Sequence, residues 1–223
     1  MHKSGSGMAE FNTAHQHNYS IGLIPMEDVR LLQKRRVFDD IYAIDEAVLA
    51  YRRHDGTWSQ PVRQLCFERG DSVAALLVSR ETNDFVLVNQ FRYPTYEKGP
   101  GWILEIVAGG LDRDETPELA IKREIREETG YDVLELELIT SFYVSPGGTS
   151  ERVHLFYAEV SGTPAADGRS FGTGGDEDIA VVELSSQQLW EEFTAGRLLD
   201  GKTIIALLWY RMFKAERFPG LSS

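Results

Sequence analysis

The chain has 223 residues, 42% of them hydrophobic and 26% charged, with a formal net charge of −12. That length suits one globular domain or one domain with a small extra lobe, and the composition is not that of a disordered chain. The acidic balance excludes a duplex nucleic-acid binder, which needs a basic face, and no apolar run approaches the roughly 18 residues of a membrane helix.

Taken in order, Met1 to Met8 lack the apolar core of a secretory signal and read as an expression remnant before a natural start at Met8. Residues 8–34 are mixed in character and are expected to lead into a short strand. Val37 to Tyr51 reads as extended, followed by the turn His54-Asp55-Gly56-Thr57 and a partner strand, Val62 to Phe67. The single cysteine, Cys66, lies in that apolar run. It is expected to be a small core residue rather than a nucleophile, and a lone cysteine agrees with a reducing cytoplasm.

Ser72 to Ser79 is a continuous apolar run, the mark of a strand buried on both faces. The turn Glu81-Thr82-Asn83-Asp84 leads into a strand from Phe85 to Phe91. Trp102 to Ile106, Leu134 to Val144 and Val153 to Val160 are expected strands. A helix is predicted from Pro117 to Thr129, with Thr116 as N-cap, proline at its first position and Gly130 as terminator. Two more are predicted, a short one over Ser186 to Ala195 and a strongly apolar one over Thr203 to Phe213. Gly162 to Gly175 is a long stretch rich in Gly, Ala, Ser and Thr, of the kind that is functional or disordered. Strands broken by one mid-chain helix and closed by C-terminal helices predict a mixed sheet with helices on both faces, an α/β protein.

Glu124, Glu127 and Glu128 stand at i, i+3 and i+4, so their carboxylates share one helical face. They lie near the helix C-terminus, the end of the macrodipole that disfavours anions. A solvated acidic face is the plain reading of three glutamates. The other is that cations sit among them, and hard oxygen ligands of this kind suit Mg²⁺, with Mn²⁺ a possible substitute. The whole pattern favours the second: Gly109, Glu115, Arg123-Glu124-Ile125, Glu127-Glu128 and Gly130, in fixed spacing.

That pattern matches the Nudix box at every charged and glycine position. The resemblance covers about residues 35–215 and implies the Nudix α/β/α sandwich. It implies that Glu124, Glu127, Glu128 and the backbone carbonyl of Ala108 hold metal, while Glu115 and Arg123 pair to fix the loop–helix geometry. Tyr131 replaces the usual aliphatic residue, a departure expected to affect packing rather than chemistry.

The flanking segments resemble two branches of the family. Gln90-Phe91-Arg92-Tyr93-Pro94, Leu104 to Asp112 and Ser145 to Arg152 look like ADP-ribose pyrophosphatases, and Pro146 falls 16 residues beyond Gly130, the spacing of that branch. Gly174-Gly175-Asp176-Glu177-Asp178-Ile179 and Asp200-Gly201-Lys202-Thr203 resemble GDP-mannose hydrolases. The expected reaction is Mg²⁺-dependent hydrolysis of the diphosphate of a nucleoside diphosphate sugar. ADP-ribose going to AMP and ribose 5-phosphate is preferred, and GDP-mannose going to GMP and mannose 1-phosphate is the alternative.

Several residues are candidates for holding substrate. Arg92 could grip a phosphate bidentately or be a surface strand arginine. Ser145 and Glu151 lie in the segment that resembles the ADP-ribose enzymes, and Glu151 could equally be a solvent-exposed loop residue. Arg63 and Gln64 fall where the family presents an arginine from the partner subunit, and Gln64 takes that position here. The general base is expected from the loop ending in Asp176-Glu177-Asp178, with Glu177 first and Asp176 second, since Gly175 stands where the ADP-ribose enzymes carry a loop glutamate.

Both branches exchange N-terminal strands across a homodimer, so a dimer is expected, with no nucleic acid or membrane partner. The implied organisation is a lead segment 1–34, a dimerising β-hairpin region 35–70, the catalytic domain 71–215 and a tail 216–223. A catalytically silent nucleotide sensor is the rival from another class, and the intact box argues against it. Pro146 and Gln90 to Pro94 disfavour Nudix enzymes of oxidised triphosphates or dinucleoside polyphosphates. His15, His17, His54 and His154 show no metal-ligand spacing, and Trp58 and Tyr96 are read as core or dimer packing rather than base stacking.

Overall fold

The computed structural model describes residues 28–162, 169–171 and 178–214. It divides into two compact units, the first drawn from 28–36 and 45–65, the second from 37–44 and from 66 onwards.

The second unit is built around strand β4 (Ser72–Ser79), every residue of which is buried. The burial follows from period-two alternation between two covered faces. On one face Ala74, Leu76 and Val78 pack with Phe85, Leu87, Leu155 and Tyr157, and with Leu189, Ala206, Leu207 and Tyr210 of helices α3 (Ser186–Thr194) and α4 (Gly201–Phe213). On the other, Val73, Ala75 and Leu77 meet Val86, Val88, Phe156, Ala158 and Val160, and Ala120, Ile121 and Ile125 of helix α2 (Pro117–Thr129). Each fully buried Leu, Ile, Val or Phe stabilises by about 1.5–3 kcal/mol.

The large sheet has the order β10-β11-β5-β4-β9-β8. Here β5 is Phe85–Phe91, β8 Asp132–Tyr143, β9 Arg152–Ser161, β10 Arg169–Phe171 and β11 Asp178–Leu184. β4 runs parallel to β9, from Ser72↔Val153 to Ser79↔Val160, while β5 is antiparallel to β4. One edge of β4 is shared. Its second half pairs with β5 at Leu77↔Val86 and Val78↔Phe85. Its first half pairs with β7 (Val107–Gly110), from Ser72↔Gly110 to Ala75↔Val107, and β6 (Trp102–Glu105) pairs with β5. The mixed sheet with helices on both faces agrees with the sequence reading.

The helices begin and end where their capping residues stand. Thr116 accepts from Leu119 N–H, Pro117 opens α2, and Gly130 closes it in the left-handed region at φ 79°. Ser185 and Gln188 form a capping box on α3, and Asp200 caps α4.

The departures are local. The stretch Val37 to Tyr51 is not one strand. β1 (Val29–Asp39) ends at a turn in which Asp40 Oδ1 accepts from Ile41 N–H, and β2 (Ala43–Tyr51) follows. The charged run Lys34-Arg35-Arg36 belongs to β1, its cations matched by Asp45 and Glu46 of β2. Together with β3 (Val62–Glu68) these form a three-stranded sheet. Cys66 is half-buried in β3 rather than in the core. Trp58 is not a core residue either: the guanidinium of Arg30 lies 3.8 Å from its ring centroid. Tyr96, in the short helix α1 (Tyr93–Tyr96), is exposed beside Phe91. The Gly-rich connection carries β10, and β11 begins where only an acidic loop was expected. Among the described residues no helix is long and apolar enough to cross a membrane.

Candidate active site

Helix α2 packs its apolar face on the sheet through Ala120, Ile121 and Ile125, and Glu124 lies against Gly109 of β7. Arg123 joins the acidic positions. Its Nε and Nη2 donate to Glu115 at 3.2 and 3.0 Å, a bidentate contact between the two residues that the resemblance implies are paired. Its Nη1 donates to Glu124 at 2.8 Å and Glu127 at 3.2 Å. One guanidinium thus serves three carboxylates.

Glu124 lies against the backbone of Gly109. A Cβ on that glycine would overlap the Glu124 carboxyl group, so only glycine fits there while Glu124 keeps its place. Burial pushes the Glu124 carboxyl above its ordinary pKa, with Glu127 and Glu115 adding to the rise, against the pull of Arg123. Glu128 is buried at 7% exposure, and Glu127 is half-buried.

Of the two readings of the clustered glutamates, a solvated acidic face and a set with cations among them, the second is favoured by the whole pattern. The cation found between Glu124 and Glu127 is Arg123. Among the described residues no set of three His, Cys, Asp or Glu side chains is already gathered around one point. The donor set nonetheless fits a divalent ion. Glu115, Glu124, Glu127 and Glu128 all offer hard oxygen, and three of them share the guanidinium of Arg123.

Glu151 is not the solvent-exposed loop residue that its position allowed. It is 8% exposed, accepts from Ser72 Oγ at 2.8 Å and lies 3.6 Å from Arg69 Nη1. Ser72 is the register partner of Gly110 on one edge of β4 and of Val153 on the other. The loop before it is tied down by Phe67 N–H to the Gly148 carbonyl at 2.8 Å and by Ser150 Oγ to Glu68 at 2.6 Å. Ser145 is exposed, its carbonyl accepting from Gly148 and Thr149.

Arg92 is neither free nor a plain surface residue. Its Nε donates to Glu105 Oε1 at 2.6 Å, and Glu105 is 3% exposed. Lys202 Nζ lies 3.4 Å from the other oxygen of Glu105 and 2.6 Å from Asp200. Local sequence does not signal Glu105 and Lys202, because Glu105 meets Arg92 across 13 residues and Lys202 across 97.

Ala108 lies on β7, paired with Ala74. Asp176 and Glu177 lie outside the described residues. The register pair Phe171↔Asp178 marks the two ends of their segment, and β10 lies against α2. Arg63 and Gln64 are exposed residues of β3 in the first unit, where Arg63 Nε donates to Glu46. His154 is half-buried, with its Nδ1 2.8 Å from Ser141 Oγ, and burial lowers its pKa.

The family model of the NUDIX domain matches residues 68–195. A GDP-mannose pyrophosphatase of Shigella flexneri is 35% identical over 191 residues, covering 83% of this chain and 96% of its own. The GDP-mannose pyrophosphatase of Escherichia coli (strain UTI89 / UPEC) is 35% identical over 188 residues, with the same coverage. The crystal structure of an ADP compounds hydrolase superposes with a TM-score of 0.65 over 86% of this chain and 96% of that one, at 16% identity, a likeness of fold. With its box assembled on α2 and its length shared with these relatives, the chain belongs to the Nudix family, as one of its pyrophosphatases.

Proposed function

We propose that the chain hydrolyses the diphosphate bond of a nucleoside diphosphate sugar with Mg²⁺, giving a nucleoside monophosphate and a sugar phosphate. The observation that carries this reading is the α2 cluster, in which Arg123 ties Glu115, Glu124 and Glu127 together while Glu124 rests on Gly109. Glu124, Glu127, Glu128 and the Ala108 carbonyl would hold the ions. Bound there, Mg²⁺ neutralises diphosphate charge and lowers the pKa of a water. Arg92, anchored through Nε on Glu105, keeps its Nη groups for a phosphate oxygen. Glu151, braced by Ser72, is a further candidate for contact with substrate. Glu177, with Asp176 second, takes the proton of the attacking water.

GDP-mannose is the preferred substrate, supported by full-length relatives that act on it and by the Asp200-Gly201-Lys202-Thr203 segment. ADP-ribose, preferred from the sequence alone, stays as the second reading on the strength of Ser145 to Arg152. The enzyme acts as a homodimer in which Gln64 or Arg63 comes from the partner, consistent with the exposure of both on β3. Specificity constants over a panel of nucleoside diphosphate sugars with Mg²⁺ test the reading. Cleavage of GDP-mannose or ADP-ribose that EDTA abolishes is the expected result. No product from any panel member, or turnover indifferent to EDTA, would overturn it.

A further inference from the structure

The junction between β6 and β7 is where the sheet's own hydrogen bonding runs out. β6 pairs with β5 as far as Val88↔Glu105, and β7 pairs with β4 from Ala75↔Val107. Ile106, between them, belongs to neither ladder and is fully buried at 0% exposure. A buried N–H left without an acceptor costs about 1–3 kcal/mol. Ile106 N–H instead donates to Thr203 Oγ1 at 3.0 Å, across the interior from α4.

Thr203 is itself fully buried, and its hydroxyl proton is committed to Asp200 Oδ2 at 2.6 Å. With its one proton spent there, the oxygen faces Ile106 with lone pairs only, so the acceptor role is enforced. The same Asp200 oxygen accepts from Thr203 N–H at 2.9 Å as the cap of α4. Beyond the cap, α4 is rooted in the core by Ala206, Leu207 and Tyr210. The anchor is therefore rigid, whereas β7 is only four residues long and ends in two glycines.

We propose that Thr203, oriented by Asp200, is a positioning residue for the backbone from Ile106 to Ala108, and so for the Ala108 carbonyl offered to metal. This rests on the assignment of that carbonyl under the proposed function. The bonded path continues from Asp200 through Lys202 and Glu105 to Arg92, so the α4 cap joins the metal-binding backbone to the phosphate-binding arginine.

Thr203→Val keeps the shape and removes both hydroxyl bonds, and Thr203→Ser keeps the hydroxyl. Mn²⁺ binding to each purified protein without substrate is read by electron paramagnetic resonance of the free ion, alongside kcat, KM and Tm. Loss of hydrogen-bond partners behind metal ligands weakens binding by about 10–100-fold. Thr203→Val is expected to lose at least about tenfold in Mn²⁺ affinity and a similar factor in kcat, with KM within about twofold. Thr203→Ser should stay within about twofold of wild type in all of these, the rescue expected if the hydroxyl alone matters.

Asp200→Asn, which keeps the Thr203 hydroxyl and loses the charge that orients it, should give an intermediate loss and stands in if the valine variant does not fold. Wild-type Mn²⁺ affinity in Thr203→Val, whatever its Tm, would overturn the proposal, as would a serine variant impaired like the valine one. Unchanged affinity in Asp200→Asn decides against it in the stand-in case. A wild-type protein that binds no Mn²⁺ removes the proposed function itself, whereas intact wild-type binding unaffected by Thr203→Val removes the positioning role alone.

Discussion

Gly109→Ala should separate activity from stability. The new methyl group would occupy the space of the Glu124 carboxyl, and no backbone atom is among its three nearest neighbours. The far end of a flexible side chain can swing away, so the mutation should cost near the lower end of the roughly 1–3 kcal/mol of overpacking. For a chain of this size about 1 kcal/mol lowers Tm by roughly 2–4 °C. The displaced carboxylate is a proposed metal ligand, and a misplacement of about 1 Å in a reacting assembly can reduce rate by about 100-fold. Thermal unfolding and steady-state kinetics on the preferred nucleotide sugar measure the two effects separately. A fall of about 100-fold in kcat/KM with a small Tm change is expected. Wild-type kinetics would refute the role of Glu124, and a collapse in Tm of more than about 10 °C would refute the claim that only a side chain must yield.

Other consequences follow from single contacts. Glu127→Gln should lower kcat by about 100-fold or more, while circular dichroism and Tm stay near wild type. Burial alone would raise the Asp200 pKa, but Lys202 and the Thr203 bonds bring it below its ordinary 3.8. A depressed folded pKa means the unfolded chain binds the proton first, so this stabilisation is full above about pH 4 and is lost as pH falls through the folded value. Asp200→Asn should therefore flatten that part of the acid-unfolding curve, and an unchanged curve would count against it. Tyr131→Phe removes a 2.7 Å bond from its hydroxyl to Glu183. It should cost about 0.5–1.5 kcal/mol in denaturant unfolding and leave kcat alone, since the partner of the lost hydroxyl, Glu183, is not one of the box carboxylates.

What could be read from the sequence was local. Helix α2 was legible because Thr116, Pro117 and Gly130 act on their own neighbours, and because i, i+3, i+4 spacing places three glutamates on one face whatever surrounds them. Strand β4 announced its two-sided burial through an unbroken apolar run. β11 was missed because it follows a glycine-rich stretch, and β1 because its cations resemble a solvated lead until Asp45 and Glu46 are seen across from them. Nothing local says that β6 and β7 pair with different neighbours. The same holds for Arg92 with Glu105, Ser72 with Glu151 and Ile106 with Thr203, since periodicity and capping carry no information about residues far apart in the chain.

The parallel pairing of β4 with β9 bears on how the protein comes to be active. Ser72 cannot meet Val153, nor the neighbouring Glu151, until the whole intervening chain, box included, has been threaded and closed into a loop. Contacts so remote in sequence slow folding, because the entropy of closure comes before any reward. In a refolding experiment helix signal should return ahead of the protected β4 amides, and catalytic competence should arrive with the later phase.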